Sequence, residues 1–148
     1  MDNSKEKIYT GNFVRTFDTF MLIALFIFCC YMLLVCIKLG NNKYWFGFLV
    51  WFALFAIFTN KMNYFIITQT ELIAKNPIWF WRKIVFDLDS IKSISVVQPS
   101  KSPISLEIKT LNKKKVIGAT SLRNNTWKKL ISDLEKKNIS VISKIAWK

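Results

Sequence analysis

The stretch that decides the predicted fold is FMLIALFIFCCYMLLVCI, residues Phe20 to Ile37, eighteen residues without a charge. As a helix it would span about 27 Å at about 1.5 Å per residue, close to the thickness of a bilayer's hydrocarbon core. A second apolar run, YWFGFLVWFALFAIF, covers Tyr44 to Phe58 and would span about 22 Å. Because neither run carries the polar stripe of a core helix, we predict a two-helix transmembrane hairpin.

Lysine and arginine residues beside the hairpin predict its orientation, because they favour the cytoplasmic side of a membrane. They are Lys5, Lys7 and Arg15 before it, Lys38 and Lys43 in its turn, and Lys61, Lys75, Arg82 and Lys83 after it. The bias places both termini and the following domain in the cytoplasm and predicts a multi-pass protein of the bacterial inner membrane. A cleaved signal peptide is the alternative for the first run, but a small-x-small cleavage site is missing.

Small side chains in the two runs are candidates for close contacts between helices. They are Cys29 in the first run and Gly47, Ala53 and Ala56 in the second. We expect these contacts within the hairpin or between protomers of a homo-oligomer. The three cysteines all lie in the first run, and we interpret them as small apolar packing residues rather than as a disulfide or redox site.

Composition disfavours catalysis. The 148 residues include 22 Lys and Arg against 9 Asp and Glu, four Gly and no His. The missing His removes the commonest general base and zinc ligand, and the few Gly disfavour a phosphate-binding loop. Asp87 and Asp89 could offer only oxygen ligands, and we interpret them as turn residues. We therefore predict a protein that is not an enzyme and has no cofactor and no metal site.

The segment after residue 59 has a different pattern, in which short alternating runs predict strands. Ile104, Leu106 and Ile108 alternate with polar residues, which is typical of a strand with one buried face. A later stripe at helical spacing predicts an amphipathic helix over about 125–138. Its apolar members are Trp127, Leu130, Ile131 and Leu134.

These patterns give four predicted segments. They are a cytoplasmic N-terminal segment at 1–16, the hairpin at 17–60 with helices at about 17–38 and 43–60, a β domain at 62–142 that includes the C-terminal helix, and a tail at 143–148. The predicted fold class is a membrane α+β protein, in which a small antiparallel β-barrel or bent sheet is capped by the C-terminal helix.

Five stretches of this region carry a family resemblance. They are YFIIT from Tyr64 with ELI from Glu71, IVFDLDSIKSI from Ile84, LEIKT from Leu106, and the run from Leu122 through WKKLI to LEKKNI at Ile139. With the two apolar runs, they resemble bacterial membrane proteins with a pleckstrin-homology (PH)-like domain. The resemblance implies a sheet closed at one end by the helix, and binding rather than catalysis. Phosphoinositide-binding relatives use basic residues between the first two strands, where this chain has only Gln69-Thr70, so that site is not carried over.

Two surface features are candidate sites. The first is a basic patch that could meet anionic lipid headgroups or another ligand. Its residues are Arg82, Lys83, Lys101, Lys113, Lys114 and Lys115. The second is the aromatic cluster Trp79, Phe80 and Trp81, which is a candidate for the membrane interface. A solvated basic surface and a buried aromatic cluster are the alternatives.

Three functions are compatible with these features. The leading prediction is a membrane-anchored binding module that presents its basic domain to a protein partner, an anionic lipid or a small ligand. The second is a two-helix membrane effector of antiphage defence that senses a cyclic nucleotide, oligomerises and disrupts the inner membrane. The third is an accessory or immunity subunit of a larger membrane complex. The high apolar fraction disfavours a nucleic-acid partner.

Overall fold

The computed structural model describes residues 6–11, 17–40, 42–98 and 103–145. The chain divides into two compact units, one of Met1–Asn12 with Lys61–Lys148 and one of Phe13–Asn60. We call the first the β unit and the second the helical hairpin. The N-terminal segment thus belongs to the same unit as the residues that follow the hairpin.

The helical hairpin contains α1, Phe17–Leu39, and α2, Asn42–Asn60. Neither helix contains Pro, which would interrupt the backbone hydrogen bonds, so both continue over many turns. Gly40 follows α1 with a φ of +61° and donates its N–H to the carbonyl of Cys36 at 3.0 Å. This left-handed glycine ends the helix in the usual way and reverses the chain.

Aromatic contacts hold the two helices antiparallel. The ring centroids of Phe28 and Trp51 lie 4.5 Å apart, and those of Phe26 and Phe55 lie 6.1 Å apart. On α1 the buried seam follows helical spacing. Its buried members are Leu25, Cys29 and Cys36. Most other described large apolar side chains of the hairpin are exposed, with Phe46 at 74% and Phe20 at 71%.

The predicted membrane crossing is wrong. Among the described residues we find no helix that is long and apolar enough to cross a membrane. This finding overturns the predicted transmembrane hairpin and the predicted location in the inner membrane.

Four strands of the β unit form the first sheet. They are β1 at Lys7–Tyr9, β2 at Tyr64–Ile67, β3 at Glu71–Lys75 and β4 at Lys83–Asp87. They are antiparallel in the order β1-β2-β3-β4, and β1 pairs Lys7 with Ile67 and Tyr9 with Phe65. The helical hairpin is therefore an insertion in the connection between two adjacent strands.

The second sheet has the order β7-β6-β5-β8. Its strands are β5 at Ile91–Val97, β6 at Ser105–Thr110, β7 at Lys114–Gly118 and β8 at Val141–Ser143. A 3-10 turn at Leu88–Ser90 leads from the first sheet into β5, and α3 at Asn124–Glu135 lies between β7 and β8 in the chain. β8 pairs with β5 in parallel, which requires a long crossover such as α3 provides.

The predicted antiparallel β-barrel or bent sheet is also wrong, since the described strands form two open four-stranded sheets and include one parallel pair. Two strands account for the difference. β1 and β8 each have three residues, too few for alternation alone to indicate a strand. Both occur as edge strands because neighbouring strands offer them unpaired backbone groups.

A single core joins the sheets and α3 within the β unit. Trp127, Leu130 and Leu134 of α3 are fully buried with Phe65 of β2, and the rings of Phe65 and Trp127 have centroids 5.8 Å apart. The predicted stripe of α3 is therefore the face that enters the core, except that Ile131 is only partly buried.

Gly11 fixes the N-terminal segment close to the rest of the β unit. A Cβ at this position would lie 1.6 Å from the carbonyl oxygen of Ser121. Such a distance is impossible, so only glycine allows this approach of the two backbones.

We expect Leu106→Ala to lower the free energy of unfolding by about 2–5 kcal/mol, because Leu106 is 0% exposed in the core. The matched control is Leu111→Ala, since Leu111 is 80% exposed and its loss should change stability by less than about 0.5 kcal/mol. Urea unfolding of the full chain, followed by tryptophan fluorescence, measures both. Equal losses for the two variants would contradict the described core.

Candidate anion-binding groove

A groove of the β unit lies between β1 and α3 and has a volume of about 760 Å³. We call it the β1–α3 groove. Its charged and hydrogen-bonding residues include Lys7 and Tyr9 from β1, and Lys128, Lys129, Asp133 and Lys136 from α3 or the residue after it. Four lysines against one carboxylate give this lining a net charge of +3.

Helical spacing explains why α3 presents this set on one side. Lys129, Asp133 and Lys136 follow one another at intervals of four and three residues, which places them on one face of a helix. The core stripe of Trp127, Leu130 and Leu134 occupies another face. The burial of that stripe therefore directs the basic face toward β1.

Asp133 is the centre of the groove's hydrogen bonds. Its carboxylate accepts a hydrogen bond from the hydroxyl of Tyr9 at 2.6 Å. It also accepts hydrogen bonds from the ammonium groups of Lys7 at 3.1 Å and Lys136 at 3.3 Å. Tyr9 is buried, while the Asp133 side chain is 17% exposed. The carboxylate thus joins the N-terminal strand to the C-terminal helix and neutralises part of the positive charge.

This arrangement shifts two pKa values in opposite directions. The hydrogen bond from Tyr9, followed by those from Lys7 and Lys136, lowers the pKa of Asp133 from 3.8 to about 2. Burial, followed by the bond to Asp133, raises the pKa of the Tyr9 hydroxyl above its usual range. At neutral pH the carboxylate is therefore ionised and the phenol remains a donor.

A second groove lies along β4 and has a volume of about 380 Å³. We call it the β4 groove. Ile84, Val85 and Phe86 form part of one wall, and Lys113 and Lys115 belong to the opposite side at the β6–β7 turn. Two residues of the predicted basic patch therefore lie in one described cavity.

The other members of the predicted patch do not line that cavity. Arg82 and Lys83 are exposed at the start of β4, and Lys101 lies outside the described residues. Lys114 forms an ion pair with Glu107 at 3.0 Å, and Lys109 lies 3.7 Å from the same carboxylate. The hydrogen bond from Lys114 lowers the pKa of the Glu107 carboxyl, so this lysine is partly neutralised.

The predicted aromatic cluster forms a turn before β4. Trp81 lies 5.2 Å from Trp79 and 5.0 Å from Phe80 between ring centroids. Asn76 orders the turn, since its side-chain oxygen accepts the N–H groups of Ile78 and Trp79 at 3.0 Å. Phe80 and Trp81 are exposed and Trp79 is partly buried.

The predicted helix-packing residues have different environments. Cys29 is buried, and a Cβ on Gly47 would lie 3.0 Å from the Met32 methyl group, so both are in the seam between the helices. Ala56 is partly buried, whereas Ala53 is exposed. Asp87, the first of the turn carboxylates, accepts the N–H of Asp89 at 3.2 Å, which is the local bond typical of an aspartate turn.

Sequence reasoning missed the β1–α3 groove, because it assigned residues 1–16 to a separate segment. No pattern in the sequence could have found it, because Lys7-Ile-Tyr9 is too short for alternation to indicate a strand.

No family model, curated protein or solved structure matches the chain. The predicted membership of the PH-like membrane proteins is therefore wrong, since it also depended on a membrane-spanning hairpin and a closed sheet. The resemblance came from hydrophobic spacing, which many small α+β units share because any sheet buries alternate residues.

We expect the Asp133 carboxylate to stabilise the β unit above about pH 4, where it is ionised in both the folded and unfolded chain. Because its folded pKa is lowered to about 2, this contribution is lost as the pH falls from about 4 to 2. Asp133→Asn should lower the free energy of unfolding at pH 7 by about 1–2 kcal/mol.

Urea unfolding of the full chain at pH 7, 4 and 2.5 measures this difference, which should shrink as the pH falls. Glu135→Gln is the matched control, since Glu135 is exposed on the same helix. A constant difference between Asp133→Asn and the unchanged chain at all three pH values would contradict the assignment.

Proposed function

We propose that this protein is a non-enzymatic binding module that holds a phosphate-bearing anionic ligand in the β1–α3 groove. The observation that carries the proposal is the excess of four lysines over one carboxylate in the lining of this groove. Ammonium groups are good partners for phosphate oxygens because the hydrogen bonds are charge-assisted.

The state of Asp133 supports an anionic ligand. A carboxylate without partners would repel phosphate. The Asp133 carboxylate already accepts hydrogen bonds from Tyr9, Lys7 and Lys136. Lys128 and Lys129 are exposed on the same side and add two further positive charges. The carboxylate thus binds the ammonium groups of Lys7 and Lys136, while the net charge of the groove lining remains positive.

The size of the groove supports a ligand larger than a single ion. Its volume of about 760 Å³ lies within the range of about 300–1,000 Å³ that is common for small-molecule sites. A nucleotide, an inositol phosphate and a phospholipid headgroup all combine phosphate with a body of suitable size. Binding rather than turnover is proposed because Tyr9, the groove's phenol, donates to Asp133 and has a raised pKa.

Three probes separate the sources of the phosphate. Isothermal titration calorimetry of the full chain with cyclic AMP and with inositol hexakisphosphate tests soluble ligands. Flotation with phosphatidylglycerol vesicles, compared with phosphatidylcholine vesicles, tests a headgroup. Saturable binding of cyclic AMP, inositol hexakisphosphate or phosphatidylglycerol vesicles, without equal binding of phosphatidylcholine vesicles, would support the proposal. The probe that binds most tightly would identify the source of the phosphate.

We expect Lys129→Ala to weaken binding of the preferred probe by about threefold, and the double variant Lys128→Ala/Lys129→Ala by about tenfold. Higher salt should weaken binding of the unchanged chain, since the attraction is screened. The control is Lys92→Ala, because Lys92 is exposed on β5 and does not line this groove. Absence of saturable binding to every probe, or an equal loss for Lys92→Ala, would overturn the proposal.

A further inference from the structure

β4 is an edge strand of the first sheet, since its only described sheet neighbour is β3. Its residues are Lys83, Ile84, Val85, Phe86 and Asp87. An unpaired edge presents a row of backbone donors and acceptors to any strand that can approach it.

The hydrogen-bonding pattern of the sheet shows which backbone N–H and C=O groups of β4 point away from β3. Leu88 donates its N–H to the carbonyl of Thr70 at 2.8 Å, and Thr68 donates to the carbonyl of Glu71 at 2.9 Å. Bonded pairs alternate along antiparallel strands, so Ile84 and Phe86 direct their backbone groups toward β3. The N–H and C=O groups of Lys83, Val85 and Asp87 therefore face away from the sheet.

The side chains of β4 give this edge a self-complementary pattern. An antiparallel copy of β4 aligned with Val85 opposite Val85 places Lys83 opposite Asp87 of the other copy, and Asp87 opposite its Lys83. Opposite charges directly across a strand pair are favourable. Two such pairs form at once, because a two-fold axis repeats every contact.

This register also matches the backbone. Lys83, Val85 and Asp87 all point their polar groups outward, and the alignment places each of them opposite another member of the same set. The Asp87 carbonyl already accepts a hydrogen bond from the Ser90 hydroxyl at 2.7 Å. The other outward groups meet partners, giving about four hydrogen bonds between the strands. A shift by one residue would place inward groups opposite outward groups and lose this match.

The apolar residues of β4 favour the same partner. Ile84 and Phe86 are only partly buried although they pack against the core, and Val85 is 42% exposed. In the aligned pair, Ile84 lies across from Phe86 of the second copy. Cross-strand contact of an aromatic with a β-branched side chain contributes about 0.2–1 kcal/mol.

We infer that the β4 edge is an interaction surface for a second copy of this chain, forming an antiparallel β4–β4 pair with Val85 on the two-fold axis. The β4 groove lies beside this edge and offers open space next to Ile84, Val85 and Phe86. The first sheets of two copies then form one continuous sheet of eight strands. This inference does not depend on the ligand proposed for the β1–α3 groove.

Disulfide formation between single cysteines tests the register directly. In a full chain carrying Cys29→Ala, Cys30→Ala and Cys36→Ala, we expect Val85→Cys to cross-link into a dimer under mild oxidation. The two Cα atoms would be about 5.5 Å apart, within the range that a disulfide spans. Non-reducing electrophoresis measures the yield.

Two matched cysteine variants control for random collision. Lys83→Cys lies on the same strand, but its copies would be about 13 Å apart in the proposed register. Val116→Cys lies on the exposed edge strand β7, and Val116 is 51% exposed. Both should cross-link far less than Val85→Cys, and equal yields for the three variants would overturn the inference.

A charge exchange provides a second, independent readout by sedimentation velocity. Lys83→Asp places two aspartates opposite each other at each end of the pair, and should weaken dimer formation by about tenfold. The double variant Lys83→Asp/Asp87→Lys restores opposite charges and should recover most of the affinity. A monomeric unchanged chain, or a double variant as weak as the single one, would also overturn the inference.

Discussion

The pairing of β1 with β2 is the constraint on which the rest of the structure depends. It joins residues 7–9 to residues 65–67 in one antiparallel register, so everything between them is an insertion between neighbouring strands. The close approach of Gly11 to Ser121 extends the same attachment to the second half of the β unit. Without this pairing, β1 would leave the sheet and the β1–α3 groove would lose one wall.

Asp133 completes that attachment from the other end of the chain. It binds Tyr9 and Lys7 of β1 and so links the first strand to α3. The Asp133 carboxylate therefore stabilises the N-terminal strand and also holds Lys7 and Lys136 in the β1–α3 groove. The proposed ligand site and the stability of the fold depend on the same cluster.

Much of the secondary structure followed from local patterns. The two long apolar runs lie within α1 and α2, and the stripe of Trp127, Leu130 and Leu134, whose spacing is helical, lies within α3. The candidate site was harder to predict from the sequence. Lys113 and Lys115 both line the β4 groove, because they are neighbours at the β6–β7 turn. Lys7 and Lys136 are far apart in the chain, and both bind the carboxylate of Asp133.

The sequence by itself determined the helices, the central strands and the excess of positive charge, because each depends on residues near one another in the chain. Only the tertiary structure decided that the N-terminal segment is a strand of the β unit, that the sheets are open and that β8 is parallel to β5. The physical reason is that strand pairing depends on backbone groups that are similar in every residue. Short strands such as β1 and β8 therefore take their places from the partners that the folded chain offers them.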